Sequence, residues 1–154
     1  IMLNSCGTYS FTGASIPEDV KTISIAYFPN RASQVEPTLS QKFTELLKDK
    51  FVNQTNLDLI NSEGDLQFTG AIIDYRTQPV AIQSSDVAAL NRLTITVKVN
   101  FENKKDETKN FESNFSRYVD YNSTEVLSSI EETLISQINE QLVDDIFNKA
   151  VINW

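Results

Sequence analysis

The sequence predicts an α+β fold, a two-layer sandwich in which one mainly antiparallel sheet of about four strands carries two helices on one face. Three observations lead there. Leu93, Ile95, Val97, Val99 and Phe101 alternate with Thr94, Thr96, Lys98 and Asn100, the period-two pattern of a strand buried on one side. Leu39, Phe43, Leu46, Leu47 and Phe51 fall on one side of a helical wheel. Leu127, Ile130, Leu134, Ile138, Leu142 and Ile146 do the same near the end of the chain.

Taken in order, Val20 to Phe28 alternates, with Ile23, Ile25 and Tyr27 on one side and Thr22 and Ser24 on the other. It stops at the turn pair Pro29-Asn30. Thr38 followed by Gln41 has the capping-box pattern, so a helix is expected from Leu39 to Val52 with Lys42, Glu45, Lys48 and Asp49 outward. Leu57 to Ile60 fits a short strand before the turn Ser62-Glu63-Gly64-Asp65. The next strand places Leu66, Phe68, Gly70 and Ile72 on one face and Gln67, Thr69, Ile73 and Tyr75 on the other. Beyond Pro79, the polar stretch Gln83 to Asn91 has no clear element.

The strand from Leu93 leads into a charged turn, Asn103 to Lys109, and then a strand with Phe111, Phe115, Val119 and Tyr121 inward. Arg117 falls in that apolar row, where a bulge or strand end is expected. Ser123 or Thr124 caps the closing helix. Both helices then pack on the apolar side of the sheet, and its Thr- and Asn-rich side is left for water or a partner.

Composition removes most enzyme chemistries. The 154 residues have the length of one domain, and 40% apolar content suffices for one core. The absence of histidine excludes Ser-His-Asp and Cys-His catalysis and His-ligated zinc. A single cysteine excludes an internal disulfide framework and Cys-only metal sites. A net charge of −8 disfavours nucleic acid as a partner. Glu131-Glu132 and Asp144-Asp145 are helix neighbours pointing about 100° apart, so with Glu140 they read as a solvated face. Asn61 to Asp65 only faintly resembles a metal loop. The expectation is a protein with no catalytic constellation, metal or cofactor, and no enzymatic activity.

The N-terminus reads differently. Position 1 is Ile rather than Met, so the chain reads as one missing its upstream residues. Leu3-Asn4-Ser5-Cys6 resembles a lipobox, the end of a bacterial lipoprotein signal peptide, with Leu three residues before the cysteine and a small residue just before it. Cys6 is accordingly expected to be a lipid anchor. Residues 1–5 are then a signal-peptide remnant, 6–19 a lipidated lead-in and 20–154 a single α+β domain.

Several segments in sequence resemble one family. They are Cys6-Gly7-Thr8-Tyr9-Ser10-Phe11, Ile16-Pro17, Val20-Lys21-Thr22-Ile23, the Leu39-Ser40 helix start, Ala89 to Ile95 and Phe147-Asn148-Lys149-Ala150. Together they are similar to the lipopolysaccharide-assembly lipoprotein LptE family, particularly its Bacteroidota branch. The resemblance implies a non-enzymatic lipoprotein on the periplasmic face of the outer membrane. It implies a plug inside the LptD-type barrel, helping that barrel assemble and deliver lipopolysaccharide to the outer leaflet. The neutral residues Gly7 to Ser10 after Cys6 fit retention at the outer membrane.

The family's lipopolysaccharide contact is made through basic residues near the strand loops. Here Gln83 to Ala89 holds no Lys or Arg, which leaves Arg76, Arg92 and Lys98 as the nearest cations. Thr94, Thr96, Asn114 and Ser116, on the polar sheet face, are the candidate partner face. The alternative is a free-standing periplasmic lipoprotein binding a small apolar ligand. A carrier needs a cavity, whereas a plug needs a wide protein-facing surface.

Overall fold

The computed structural model describes residues 16–34, 36–80 and 89–152. Its strands are β1 (Thr22–Ile25), β2 (Asp58–Ile60), β3 (Leu66–Pro79), β4 (Leu90–Asn103) and β5 (Phe111–Asn122). Its helices are α1 (Leu39–Gln54) and α2 (Leu127–Phe147), the latter running into a π-helical turn at Asn148–Ile152. The strands form one sheet in the order β2-β1-β3-β4-β5. The α+β class holds, with one strand more than expected because Asp58–Ile60 joins as an edge.

The pairing is mixed. β3, β4 and β5 form the antiparallel meander, but β1 runs parallel to both β2 and β3. The reason is connectivity: α1 returns the chain to its starting end before β2, and a helical crossover joins parallel strands. The chain must then pass from β2 across β1 to begin β3. Gly64 makes that crossing. A Cβ there would lie 2.6 Å from Ser24 N and 2.7 Å from Ile23 C, inside any permitted contact. Gly64 N–H donates to Ser24 Oγ at 3.1 Å, and Asp65 accepts from the Lys21 and Thr22 amides at 2.8 and 3.2 Å. Glu63, just before, takes a positive φ of 57°. The loop that faintly resembled a metal site is therefore a strand crossing, with its carboxylate spent on backbone amides.

The apolar residues meet in one core. From α1 come Leu39, Phe43, Leu47 and Phe51, and from α2 Leu134, Ile138, Leu142, Ile146 and Phe147, all buried. They cover the sheet residues Ile23, Leu66, Phe68, Leu93, Ile95, Val97, Val99 and Phe101. Phe68, Phe101 and Phe111 stand in register across β3, β4 and β5, with ring centroids 4.8 and 5.2 Å apart. Phe51 lies 5.0 Å from both Phe68 and Phe147, so the two helices meet the row at its end. Phe28 and Phe43, with Phe28 N–H donating to buried Thr44 Oγ1 at 3.1 Å, bind the chain beyond β1 to α1.

Local expectations fail where tertiary contacts decide. Tyr27 is exposed and Phe28 buried, because β1 ends at Ile25 and the alternation stops with it. Tyr75 was expected on the polar face, yet it is buried in the core opposite Ile95. A bulge between Ile72 and Asp74 leaves Ile73 unpaired and reverses the alternation after it. Arg117 sits in unbroken register with Ile95, with no bulge, and turns toward α2 to bind Asp145. No capping box forms: Thr38 bonds Glu36 and Gln41 bonds Glu45. The closing helix starts at Leu127 behind Val126, without a side-chain cap.

Two outcomes follow from this packing. Gly64→Ala drives a methyl into the β1 backbone and is expected to destabilise the domain by about 1–3 kcal/mol in urea unfolding. Phe51→Ala empties the joint between α1, β3 and α2 and is expected to cost about 3–5 kcal/mol, read by the same measurement.

Candidate partner interface

The sheet face turned away from the helices is built from in-register rows. Gln78, Arg92 and Asp120 form one row, Arg76, Thr94 and Tyr118 the next, then Asp74, Thr96 and Ser116, then Ala71, Lys98 and Asn114. All seven strand residues singled out from sequence lie on this one face. Antiparallel pairing brings side chains of a row to the same side, so alternation finds Arg92, Thr94, Thr96, Lys98, Asn114 and Ser116, whereas Arg76 joins them only because the bulge at Ile73 reverses the count.

Their environments differ. Asn114 and Ser116 are exposed, and Thr96 is half-buried with its hydroxyl 2.9 Å from Ser116 Oγ. Thr94 is only 6% exposed, against the expectation that it lies open. Its register neighbours are Arg76 and Tyr118, two long side chains flanking a short one. A partner would meet those two before it met Thr94.

The three cations are not free. Arg92 forms a two-pronged bond with Asp120 at 2.7 and 3.0 Å and stacks on Tyr118, 3.7 Å from the ring centroid. That bond raises the guanidinium's pKa and lowers that of the Asp120 carboxyl, two shifts that agree in direction. Arg76 pairs with Asp74 at 3.1 Å and Lys98 with Glu112 at 2.9 Å. The face is polar and internally neutralised. Sequence reasoning missed the counter-ions Asp74 and Asp120 and the platform Tyr118. Continuing the period-two count past Ser116 reaches Tyr118 and Asp120, and one step of two back from Arg76 along β3 reaches Asp74.

The acidic residues of α2 include exposed ones, Glu132, Glu140 and Asp144, as a solvated face has, but most of the acids also hold a partner. Glu132 binds Lys42 at 3.0 Å and Asp144 binds Lys50 at 2.8 Å, both on α1. Asp145 holds Arg117 of β5 at 2.7 and 2.8 Å, which raises the Arg117 pKa. Glu131 accepts the hydroxyl of Tyr75 on β3. Helix α2 is thus tethered to three elements by carboxylates. Among the described residues no group of three or more His, Cys, Asp or Glu is placed to hold a metal. Cys6 lies outside the described residues.

These features define a class: a two-layer α+β domain with one broad, internally hydrogen-bonded sheet face. The chain matches the lipopolysaccharide-assembly family LptE over residues 20–150. It belongs to that family, whose members are outer-membrane-associated lipoproteins without enzymatic activity that act in lipopolysaccharide transport and outer-membrane assembly. No curated protein matches the sequence. Among solved structures it is similar to a minor lipoprotein from Acinetobacter baumannii, at 13% identity and a TM-score of 0.55, covering 83% of this chain and 90% of that one. It is equally similar to the hypothetical protein CT253 from Chlamydia trachomatis, at 11% identity and a TM-score of 0.55, covering 84% and 97%. At such identities the likeness is one of fold.

Tyr75 gives the site a titration signature. Burial, and then its bond to Glu131, push the phenol far above the ordinary tyrosine range. A raised native pKa stabilises fully below the unfolded value of about 10 and is lost as pH rises above it. Stability is therefore expected to fall steadily as pH rises above roughly 10. Tyr75→Phe should flatten that fall while costing about 1 kcal/mol at neutral pH, as read by urea midpoints across pH.

Proposed function

We propose that this protein plugs the lumen of an LptD-type outer-membrane barrel, applying the polar sheet face to the barrel wall. The observation that carries this reading is the neutralisation of that face. Arg76, Arg92 and Lys98 are each matched by a carboxylate, in a chain whose net charge is −8. A barrel lumen is lined by polar residues, and a flat neutral face of hydroxyls, amides and closed ion pairs suits it through hydrogen bonds.

In this reading Cys6 carries the lipid anchor, residues 6–19 are the tether, and the domain sits at the periplasmic face of the outer membrane. Among the described residues no helix is long and apolar enough to cross a membrane, so attachment would fall to the anchor and the barrel. Direct contact with lipopolysaccharide is secondary here, since Arg76, Arg92 and Lys98 would each have to exchange a carboxylate for a phosphate oxygen. A carrier of apolar ligands is less favoured. Two clefts of about 550 and 530 Å³ are open rather than enclosed, and charged and amide side chains stand among their borders.

The test is capture of the barrel from detergent-solubilised membranes of the native host. Wild type is expected to co-purify a large outer-membrane barrel, and Asn114→Glu with Ser116→Glu to reduce the yield by at least about tenfold, since two exposed charges must then be desolvated. Circular dichroism and Tm should not change, because both positions are exposed. Unchanged capture with an intact fold would remove the sheet face from the interface. Fatty-acid labelling should mark wild type and spare Cys6→Ala.

A further inference from the structure

The sheet has two edges, and they are not alike. β2 ends it on one side with three residues, too short to template a long pairing. β5 ends it on the other side with twelve. Every second amide and carbonyl of an edge strand points away from its neighbour. Among the described residues, no backbone hydrogen bond beyond the β4 ladder engages Glu112 to Tyr121. The usual guards of an open edge are missing as well. β5 contains no Pro or Lys, and its register with β4 runs unbroken from Phe111 to Asn122. Its one inward charge, Arg117, is drawn aside to Asp145 on α2.

The core is also unfinished along this edge. On β4, Leu93, Val97 and Phe101 are fully buried, whereas their register partners Val119, Phe115 and Phe111 are only half-buried. Those three side chains are evenly spaced, so the apolar row of β5 is symmetric about Phe115. An antiparallel copy of β5 centred on Phe115 would set Phe111 against Val119 and Phe115 against itself on the helix side. It would set Ser113, a short side chain, against Arg117, a long one. On the other face Asn114 would meet Ser116, and Glu112 would meet Tyr118. A two-fold contact requires this reciprocity, since the same patch must serve both copies.

Neighbouring registers fail. Centring on Ser116 puts Glu112 opposite Asp120, and centring on Arg117 puts that guanidinium opposite its own copy. Like charges directly opposite are unfavourable. Centring on Asn114 sets Phe111 against Arg117 and Phe115 against Ser113, so the apolar row finds no apolar partner. Only the centre at Phe115 matches the apolar row and keeps like charges apart.

We propose that β5 is a self-pairing edge, through which two copies of this chain join antiparallel about Phe115. The five-stranded sheet of one copy then continues into that of the other, with both helix layers on the same side. The occupant of the edge is thus a second copy of this chain. The proposal does not rest on the barrel reading. It is read on the purified chain with variants at Ser113, on the helix side of β5, whereas barrel capture is read with Asn114 and Ser116 on the opposite face.

The test is sedimentation of the full chain carrying Cys6→Ala, which removes the only thiol and with it any disulfide-linked dimer. A reversible, concentration-dependent dimer is expected. Ser113→Arg sets a second cation against Arg117 of the other copy, and Ser113→Glu sets an anion there. The first should weaken dimerisation and the second tighten it, each by at least about threefold, because the contact occurs twice. Circular dichroism should show both variants folded. Hydrogen exchange on the unsubstituted Ser113 chain should show alternate amides between Glu112 and Tyr121 exchanging faster on dilution. A chain that stays monomeric up to about 1 mM would overturn the proposal. So would a dimer indifferent to the sign of the charge at position 113, or one whose β5 amides ignore dilution. If neither Ser113 variant folds, the exchange measurement alone decides.

Discussion

The fold hangs on a row of phenylalanines that crosses the sheet and is gripped at one end by both helices. Phe68, Phe101 and Phe111 come into line only when β3, β4 and β5 adopt their observed register. Phe51 then meets both Phe68 and Phe147 only when α1 and α2 lie side by side on that face. Each aromatic ring withdraws about 150–250 Å² from water, more than any other side chain class, so slipping the row would expose the largest single share of the core. Commitment of one face to these rings has a second effect. It leaves Thr94, Thr96, Asn114 and the Arg92–Asp120 and Lys98–Glu112 ion pairs of β4 and β5 on the other side, with no helix to cover them.

Much of this was legible because it rests on local periodicity. β4 alternates from Leu93 to Phe101 without a fault, and α1 repeats Leu39, Phe43, Leu47 and Phe51 at four-residue intervals. Other positions depend on parts of the chain far away. Nothing in Ile72-Ile73-Asp74 announces a bulge, since no Gly or Pro stands there, and the irregularity exists only against β4. Arg117 looked like an error in an apolar row until the carboxylate that receives it, Asp145, came from a helix twenty-eight residues later. Thr94 has the same alternation as Thr96 but is shielded by Arg76 and Tyr118 on neighbouring strands. Parallel pairing of β1 was hidden for a similar reason, being set by the helical crossover rather than by the strand's own residues.

The candidate interface shows the same division. Alternation gathers Arg92, Lys98, Thr96, Asn114 and Ser116 on one face, and that much was readable, while Arg76 reaches the face only through the bulge. Charge compensation was not readable, because Glu112 and Asp120 answer Lys98 and Arg92 from the adjacent strand, and Asp74 shares a face with Arg76 only in the strand beyond the bulge. The acids of α2 illustrate the opposite surprise. In sequence they look like the outer face of a solvated helix, and in space Glu132, Glu140 and Asp144 are exposed, yet Glu131, Glu132, Asp144 and Asp145 also hold α2 to α1, β3 and β5. A carboxylate on a helix says little until its partner's position is known.

The bulge at Ile73 bears on how this chain is to be compared with its kin. β3 spends one residue more than the length of β4 it faces, and Ile73 is the surplus, standing outward on the surface. Deleting it would leave Ile72 opposite Val97 and Asp74 opposite Thr96 as now, so every other side chain would keep its face. A relative lacking that residue would thus have an identical interior and interface with a shorter numbering. Alignment by hydrophobic pattern alone, run through this strand without a gap, would exchange Tyr75 for its neighbour and turn the second half of β3 inside out.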